Sequence, residues 1–110
     1  MKIAIIGSRS LTNIMLDKYI SNEVTEIVSG GAVGVDSCAA QYAKKQGLKL
    51  TEFLPQYERY GRAAPIVRNK QIVDYADKII VFWNGSSKGT LSVIKYAQKT
   101  EKPFEVILCN

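Results

Sequence analysis

The chain has 110 residues, of which 46% are hydrophobic and 23% charged, and a net charge of +5. That length and balance fit one domain with a real core and exclude a chain disordered throughout. It contains no histidine, which excludes a serine–histidine or cysteine–histidine hydrolase built within this chain and removes the commonest metal ligand. No stretch approaches the roughly 18 consecutive apolar residues of a membrane helix. The opening run Met1–Ile6 is too short for a signal peptide and meets Gly7 at once. A cytoplasmic protein with no membrane partner is expected. Cys38 and Cys109 show neither a disulfide framework nor a metal-ligand spacing, so no metal site is expected from this chain alone. The positive charge suits an anionic partner, or simply a soluble lysine-rich surface.

Strand and helix patterns alternate along the whole chain. Lys2–Ile6 is a short apolar run ended by Gly7, as in a buried parallel strand. Thr12 or Asn13 can cap a helix through about Ser21, with Met15, Leu16, Tyr19 and Ile20 facing inward. Glu26–Val28 reads as the second strand. Val35, Cys38, Ala39, Tyr42 and Ala43 then follow the spacing of one helical face, and Gly47 stands in the favoured position after a helix. Leu48–Leu54 is the third strand, stopped by Pro55. A polar crossover, Gln56–Arg62, leads to a helix from about Pro65 to Tyr75. Lys78–Trp83 is the fourth strand. A helix carrying Leu91, Ile94 and Ala97 follows it, and Phe104–Leu108 is the last strand.

Strands alternating with helices predict right-handed crossovers and a parallel sheet covered on both faces. The expectation is one domain over residues 1–110: a Rossmann-like three-layer α/β/α fold with a five-stranded parallel sheet in the order 3-2-1-4-5. In such sheets the ligand crevice lies beyond the carboxyl ends of the strands, where the order reverses. Here that is between the first and fourth strands.

Four segments carry candidate chemistry, each with a structural alternative. Gly7-Ser8-Arg9 lets a ligand approach the backbone and offers a hydroxyl and a guanidinium, or it is a tight strand-to-helix turn. It is not a G-x-G-x-x-G fingerprint, because Ser10–Thr12 add no glycine. Ser29-Gly30-Gly31-Ala32-Val33-Gly34-Val35-Asp36 places backbone N–H groups and a helix start at an anion's disposal. Asp36 either accepts ribose or base hydrogen bonds or is a first-turn carboxylate. The loop lacks the lysine-serine/threonine ending of a P-loop. Tyr60-Gly61-Arg62 with Arg68-Asn69 can supply forks for phosphate, with Tyr57 or Tyr60 stacking on a base, or form a solvated basic face. Asn84-Gly85-Ser86-Ser87-Lys88-Gly89-Thr90 is a second anion site at a helix start, or a helix capped by Ser87.

Taken with Ala76-Asp77 and Phe82-Trp83-Asn84-Gly85, these motifs resemble the SLOG superfamily, and within it the YspA-like branch of bacterial and phage proteins. The resemblance covers nearly the whole chain. It implies a Rossmannoid fold and a nucleotide-derived ligand held by the loops after the second and fourth strands. Two related groups share pieces. In the cytokinin-activating phosphoribohydrolases the signature P-G-G-x-G-T-x-x-E ends on a catalytic glutamate. Here Gly89-Thr90-Leu91-Ser92-Val93 puts Val93 in its place, and Asn84 stands near the proline position. The DNA-processing protein A group loads recombinase onto single-stranded DNA, and its S-G-x-A-x-G-I-D loop is similar to Ser29–Asp36. The flanking regions of that group are not expected in this single domain.

The resulting expectation is a domain that binds or senses a nucleotide or an ADP-ribose-like ligand, with magnesium only alongside a phosphorylated ligand. The expected ligand-binding residues are Gly7, Ser8, Arg9, Ser29, Gly30, Gly31, Gly34, Asp36, Tyr60, Arg62, Arg68, Asn69, Asn84, Gly85, Ser86, Ser87, Gly89 and Thr90. A hydrolase acting on a nucleotide derivative, with Asp36 or Glu58 in place of the missing glutamate and Arg62 or Arg68 stabilising the leaving phosphate, is one alternative, and single-stranded nucleic-acid binding through Arg9, Arg59, Arg62, Tyr57 and Tyr60 is another. The resemblance further implies a homodimer.

Overall fold

Burial on both faces explains why β1 (Lys2–Gly7) is apolar at every position from Ile3 to Ile6. Its side chains alternate across the sheet. Ile3 and Ile5 enter one core, and Ala4 and Ile6 enter the other. In the computed structural model, which describes every residue except Arg9, Thr12, Asn13, Ala32, Val33 and Asn110, β1 is the central strand of five. The others are β2 (Glu26–Ser29), β3 (Lys49–Glu52), β4 (Lys78–Trp83) and β5 (Phe104–Leu108). All pairings are parallel and the order is β3-β2-β1-β4-β5. The Rossmann-like α/β fold expected from the sequence is the fold of the protein. Among the described residues no helix is long and apolar enough to cross a membrane.

The first core lies under α1 (Val35–Gln46), which contributes Val35, Ala39 and Ala43. Cys38 and Tyr42 of the same helical face pack at its margin. Gly47 ends α1 in the left-handed conformation at φ 69°. The N–H groups of Gly47 and Leu48 donate to Lys44 and Ala43, which satisfies carbonyls the helix end would leave open. The second core lies under α3 (Ala64–Tyr75) and α4 (Lys88–Lys99), with Ile72, Val73, Val93, Ile94 and Ala97 against the other face. Tyr96 donates to Asp74 at 2.9 Å and joins these two helices.

Three segments depart from the expectation. No helix forms across the described residues between Ile14 and Ser21; a single turn spans 17–19, closed by Tyr19 N–H on the Leu16 carbonyl at 2.9 Å. Leu16 is buried as expected, but Met15 is 69% exposed. The segment is rich in weak helix formers (Ile14, Tyr19, Ile20, Ser21, Asn22). Buried Leu11, Leu16 and Val24 hold it on the core without helical spacing. The proposed cap residues Thr12 and Asn13 lie outside the described residues. β3 is shorter than Leu48–Leu54 because its partner β2 offers only four residues to pair with, Glu26 to Ser29 against Lys49 to Glu52. The crossover after Pro55 carries one helical turn, α2 (Tyr57–Tyr60), and a 3-10 turn over Gly61–Ala63.

Polar ties close the amino-terminal end of the sheet. Asp77 accepts from the Lys2 N–H at 2.8 Å and donates its own N–H to the Lys2 carbonyl at 2.8 Å. Buried Glu26 accepts from Tyr75 Oη at 2.6 Å and Thr51 Oγ1 at 2.7 Å, with Lys49 Nζ at 3.8 Å. Burial alone would raise the Glu26 pKa. The bonds from Tyr75 and Thr51, with the charges of Lys49 and Lys2, outweigh it and hold the carboxyl below its ordinary value. The bond to Glu26 in turn raises the Tyr75 phenol above its ordinary value, and desolvation adds to this.

Glu26 thus contributes stability that is complete above the ordinary glutamate range and is lost as pH falls through the lower folded value. Urea unfolding between about pH 7 and about pH 3 should show this loss. Glu26→Gln should cost about 1.5–3 kcal/mol at neutral pH and flatten the acid slope; an unchanged slope would remove Glu26 from the linkage. At the other end of the sheet, an alanine methyl at Gly7 would lie 2.4 Å from Val35 Cγ2 and 2.9 Å from the Phe82 carbonyl oxygen. Gly7→Ala should therefore cost about 1–3 kcal/mol in the same measurement, and a neutral result would contradict the close packing of β1 against α1.

Candidate functional site

The strand order reverses between β1 and β4, and a cleft of about 460 Å³ opens beyond their carboxyl ends. Four parts of the chain build its wall. The exit of β1 supplies Ile6, Gly7, Ser8 and Ser10. Gly30 follows β2, and Asp36 stands in the first turn of α1. α3 presents Pro65, Arg68, Asn69 and Ile72, and the exit of β4 with the start of α4 gives Asn84, Ser87, Gly89 and Thr90.

Serine and asparagine side chains order the β1 and β4 exits. Ser8 is 2% exposed. Its Oγ accepts from the Asn84 N–H at 3.3 Å, and its own N–H donates to the Phe82 carbonyl at 3.1 Å. Asn84 Oδ1 accepts from the N–H groups of Ser86 and Ser87, both at 2.9 Å, an Asx-type turn that folds the loop back on itself. Asn84 Nδ2 donates to Ser10 Oγ at 3.3 Å, so this one side chain spans both exits. Trp83 Nε1 donates to the Ser87 carbonyl at 3.1 Å. Ser87 is the N-cap of α4, with its Oγ accepting from the Thr90 N–H. The positive end of the α4 dipole therefore faces the cleft. Gly89 lies in this first turn, and a methyl added there would meet no protein atom within 4 Å.

The β2 side is organised differently. Arg68 Nη1 donates to the Gly30 carbonyl at 2.8 Å and approaches the Phe53 carbonyl at 3.4 Å, while Nε donates to Asn69 Oδ1 at 2.8 Å. Asp36 is 9% exposed. A methyl added at Gly30 would sit 2.5 Å from Arg68 Nη1 and 3.0 Å from Asp36 Oδ2, so both side chains converge on this glycine. Gly31 and Gly34 have φ of 69° and 78°, a region glycine enters readily. The Gly31 N–H donates to Ser29 Oγ at 3.2 Å.

Of the residues singled out from the sequence, the cleft brings together Gly7, Ser8, Gly30, Asp36, Arg68, Asn69, Asn84, Ser87, Gly89 and Thr90. Ser29, Gly31, Gly34, Gly85 and Ser86 belong to the same loops but do not line it. Tyr60 and Arg62 also lie off its wall; Arg62 is exposed, and the Tyr60 ring packs under Arg59 at 5.3 Å. Arg9 lies outside the described residues. Sequence reasoning missed Ile6, Ser10, Pro65 and Ile72. Two of them had a signal, because Pro65, Arg68, Asn69 and Ile72 stand at the i, i+3, i+4, i+7 spacing of one helical face. Val93, at the position of the phosphoribohydrolase glutamate, is 1% exposed and packs in the second core. Asp36 is the one carboxylate on the wall among the described residues. Among those residues no three His, Cys, Asp or Glu side chains gather as a metal ion would require.

Comparison with known proteins gives one family. The model of the DNA recombination-mediator protein A family matches residues 1–55, half of the chain. The match spans β1, β2, α1 and β3 and includes Ser29–Asp36, the loop whose likeness to the DNA-processing protein A group was visible in the sequence. No curated protein and no solved structure matches the chain. With half its length matched, and with the β1 and β2 exits of the cleft inside the matched half, the chain belongs to the DNA recombination-mediator protein A family.

Proposed function

We propose that this protein binds a small nucleotide-type ligand in the cleft between the exits of β1, β2 and β4. The observation that carries the reading is the placement of the α4 amino terminus. A capped helix start with a glycine in its first turn faces a polar cleft at the reversal of strand order. The N–H groups of a helix's first turn lack intrahelical acceptors, and there they favour an anion such as a phosphate. Ser10, Asn69 and Asp36 on the wall supply hydroxyl, amide and carboxylate groups of the kind that read sugar hydroxyls or a base edge. An ADP-ribose-like ligand, with magnesium entering only as the counter-ion of its phosphates, belongs to the same chemistry. A cytoplasmic homodimer of the YspA-like branch completes the reading.

Family membership favours a second reading, single-stranded nucleic-acid binding. Tyr57 is 57% exposed, and Arg59 and Arg62 are exposed beside it, a combination suited to stacking and backbone contact. Its affinity for a short single strand should fall steeply as salt rises. A hydrolase would have to use Asp36, and its turnover would disappear in Asp36→Asn while binding persisted.

Thermal unfolding against AMP, cyclic nucleotides, ADP-ribose, NAD and short single-stranded DNA tests the first reading. A ligand at about 100 times its dissociation constant adds roughly 2.7 kcal/mol, a shift on the order of 10 °C in a domain of this size. Gly89→Ala should raise the ligand-free stability by about 0.5–1 kcal/mol, because alanine suits a helix better than glycine. It should also abolish the ligand shift by blocking approach to the backbone. A full shift retained in Gly89→Ala, or no shift with any mononucleotide or dinucleotide, would overturn the cleft reading.

A further inference from the structure

Arginine beside a glycine-rich loop invites a reading as a phosphate ligand. The geometry points to another role: we propose that Arg68 is a positioning residue, whose guanidinium latches the exits of β2 and β3 to α3 and sets the spacing between two walls of the cleft. The consequence for ligand affinity rests on the nucleotide reading above; the latch itself does not.

The last backbone bond between the two strands runs from the Phe53 N–H to the Ser29 carbonyl at 2.9 Å. Beyond it β2 leads into α1 and β3 toward Pro55, and among the described residues no backbone N–H donates to the next carbonyls, those of Gly30 and Phe53. A carbonyl shielded from water needs a donor, and Gly30 is buried. Arg68 Nη1 reaches both, at 2.8 Å and 3.4 Å. Nε donates to Asn69 Oδ1 at 2.8 Å, which orients the planar group. One rigid fork thus touches both strand exits and its own helix, an arrangement that a single ammonium cannot copy.

Gly30 supports the same assignment from the opposite side. It is absent from the glycines with positive φ, so its backbone does not demand glycine. A methyl there would lie 2.5 Å from Arg68 Nη1, 3.0 Å from its Cζ and 3.0 Å from Asp36 Oδ2, so the guanidinium would have to shift from its present place. The first glycine of the loop therefore leaves the guanidinium room beside Asp36. α3 is itself fixed to the second core by Ile72 and Val73. The latch thus references the Gly30–Asp36 wall to the Asn69–Ile72 wall through one side chain.

The test uses the whole protein, with amide hydrogen exchange read residue by residue in wild type, Arg68→Lys and Gly30→Ala. Two amides report directly: Gly31, which donates to Ser29 Oγ, and Phe53, which donates to the Ser29 carbonyl. In both variants they should exchange about tenfold faster or more, as expected when a charge-assisted bond holding a segment is lost. The amides of β1 and β4 should keep their wild-type rates. Gly30→Ala leaves the arginine charge intact, so the same local change there identifies displacement of the fork. Unchanged exchange at Gly31 and Phe53 would overturn the latch. Uniform acceleration across the sheet with a lowered melting temperature would also overturn it, by reducing Arg68 to a general stability residue. Affinities for AMP and adenosine separate this from the ligand reading. The latch predicts that Arg68→Lys weakens both by the same factor, whereas loss confined to AMP makes Arg68 a phosphate ligand and overturns the latch. If wild type binds neither, the nucleotide reading fails, and the exchange rates alone decide the latch.

Discussion

β1 has to be covered on both faces, and the rest of the architecture follows from that requirement. A parallel central strand with Ile3 and Ile5 on one side and Ala4 and Ile6 on the other needs a helical layer above and below. α1 supplies one layer, and α3 with α4 supplies the other. The crossovers that carry these helices return each strand in the same direction, so the strand exits gather on one side. Gly7 lets β1 meet α1 at a distance no side chain would allow. The cleft is what remains where the chain turns away from β1 in two directions, toward β2 and toward β4.

Much of this was legible in the residues. Runs such as Ile3–Ile6 and Ile79–Phe82 have one reading in a short alternating chain, and the 35, 38, 39, 42, 43 pattern has one helical face. The segment before β2 was not legible. Its apolar residues suggested helical spacing, but buried Leu11, Leu16 and Val24 are each held by tertiary contact rather than by a shared face. Weak helix propensity left nothing local to enforce the regular form.

The site was legible by loop and less so by residue. The glycine-rich exits and the α4 start come together as the strand order requires. Tyr60 and Arg62 precede α3, yet they stand in α2 and in the 3-10 turn before it and do not line the cleft. The bonding of Arg68 was hidden for a different reason. Two of its acceptors are backbone carbonyls 38 and 15 residues away, and a backbone carbonyl has no letter in a sequence. Asn84 is similar: its amide could serve a ligand, but in the fold its oxygen serves Ser86 and Ser87.

The shortness of β2 gives these polar ties a further meaning. All four of its residues are buried, so sliding by one position would still bury apolar groups on either face, and hydrophobic patterning alone gives it little reason to choose a register. Its two ends make the choice. A one-residue slip in either direction would pull Glu26 from Tyr75 and Thr51 at the lower end, and a slip that carried Ser29 into the place of Gly30 would press its side chain against Arg68 at the upper end. β2 behaves as a peg keyed at both ends, and the alignment of the cleft wall that follows it is inherited from a carboxylate at the far end of the same strand.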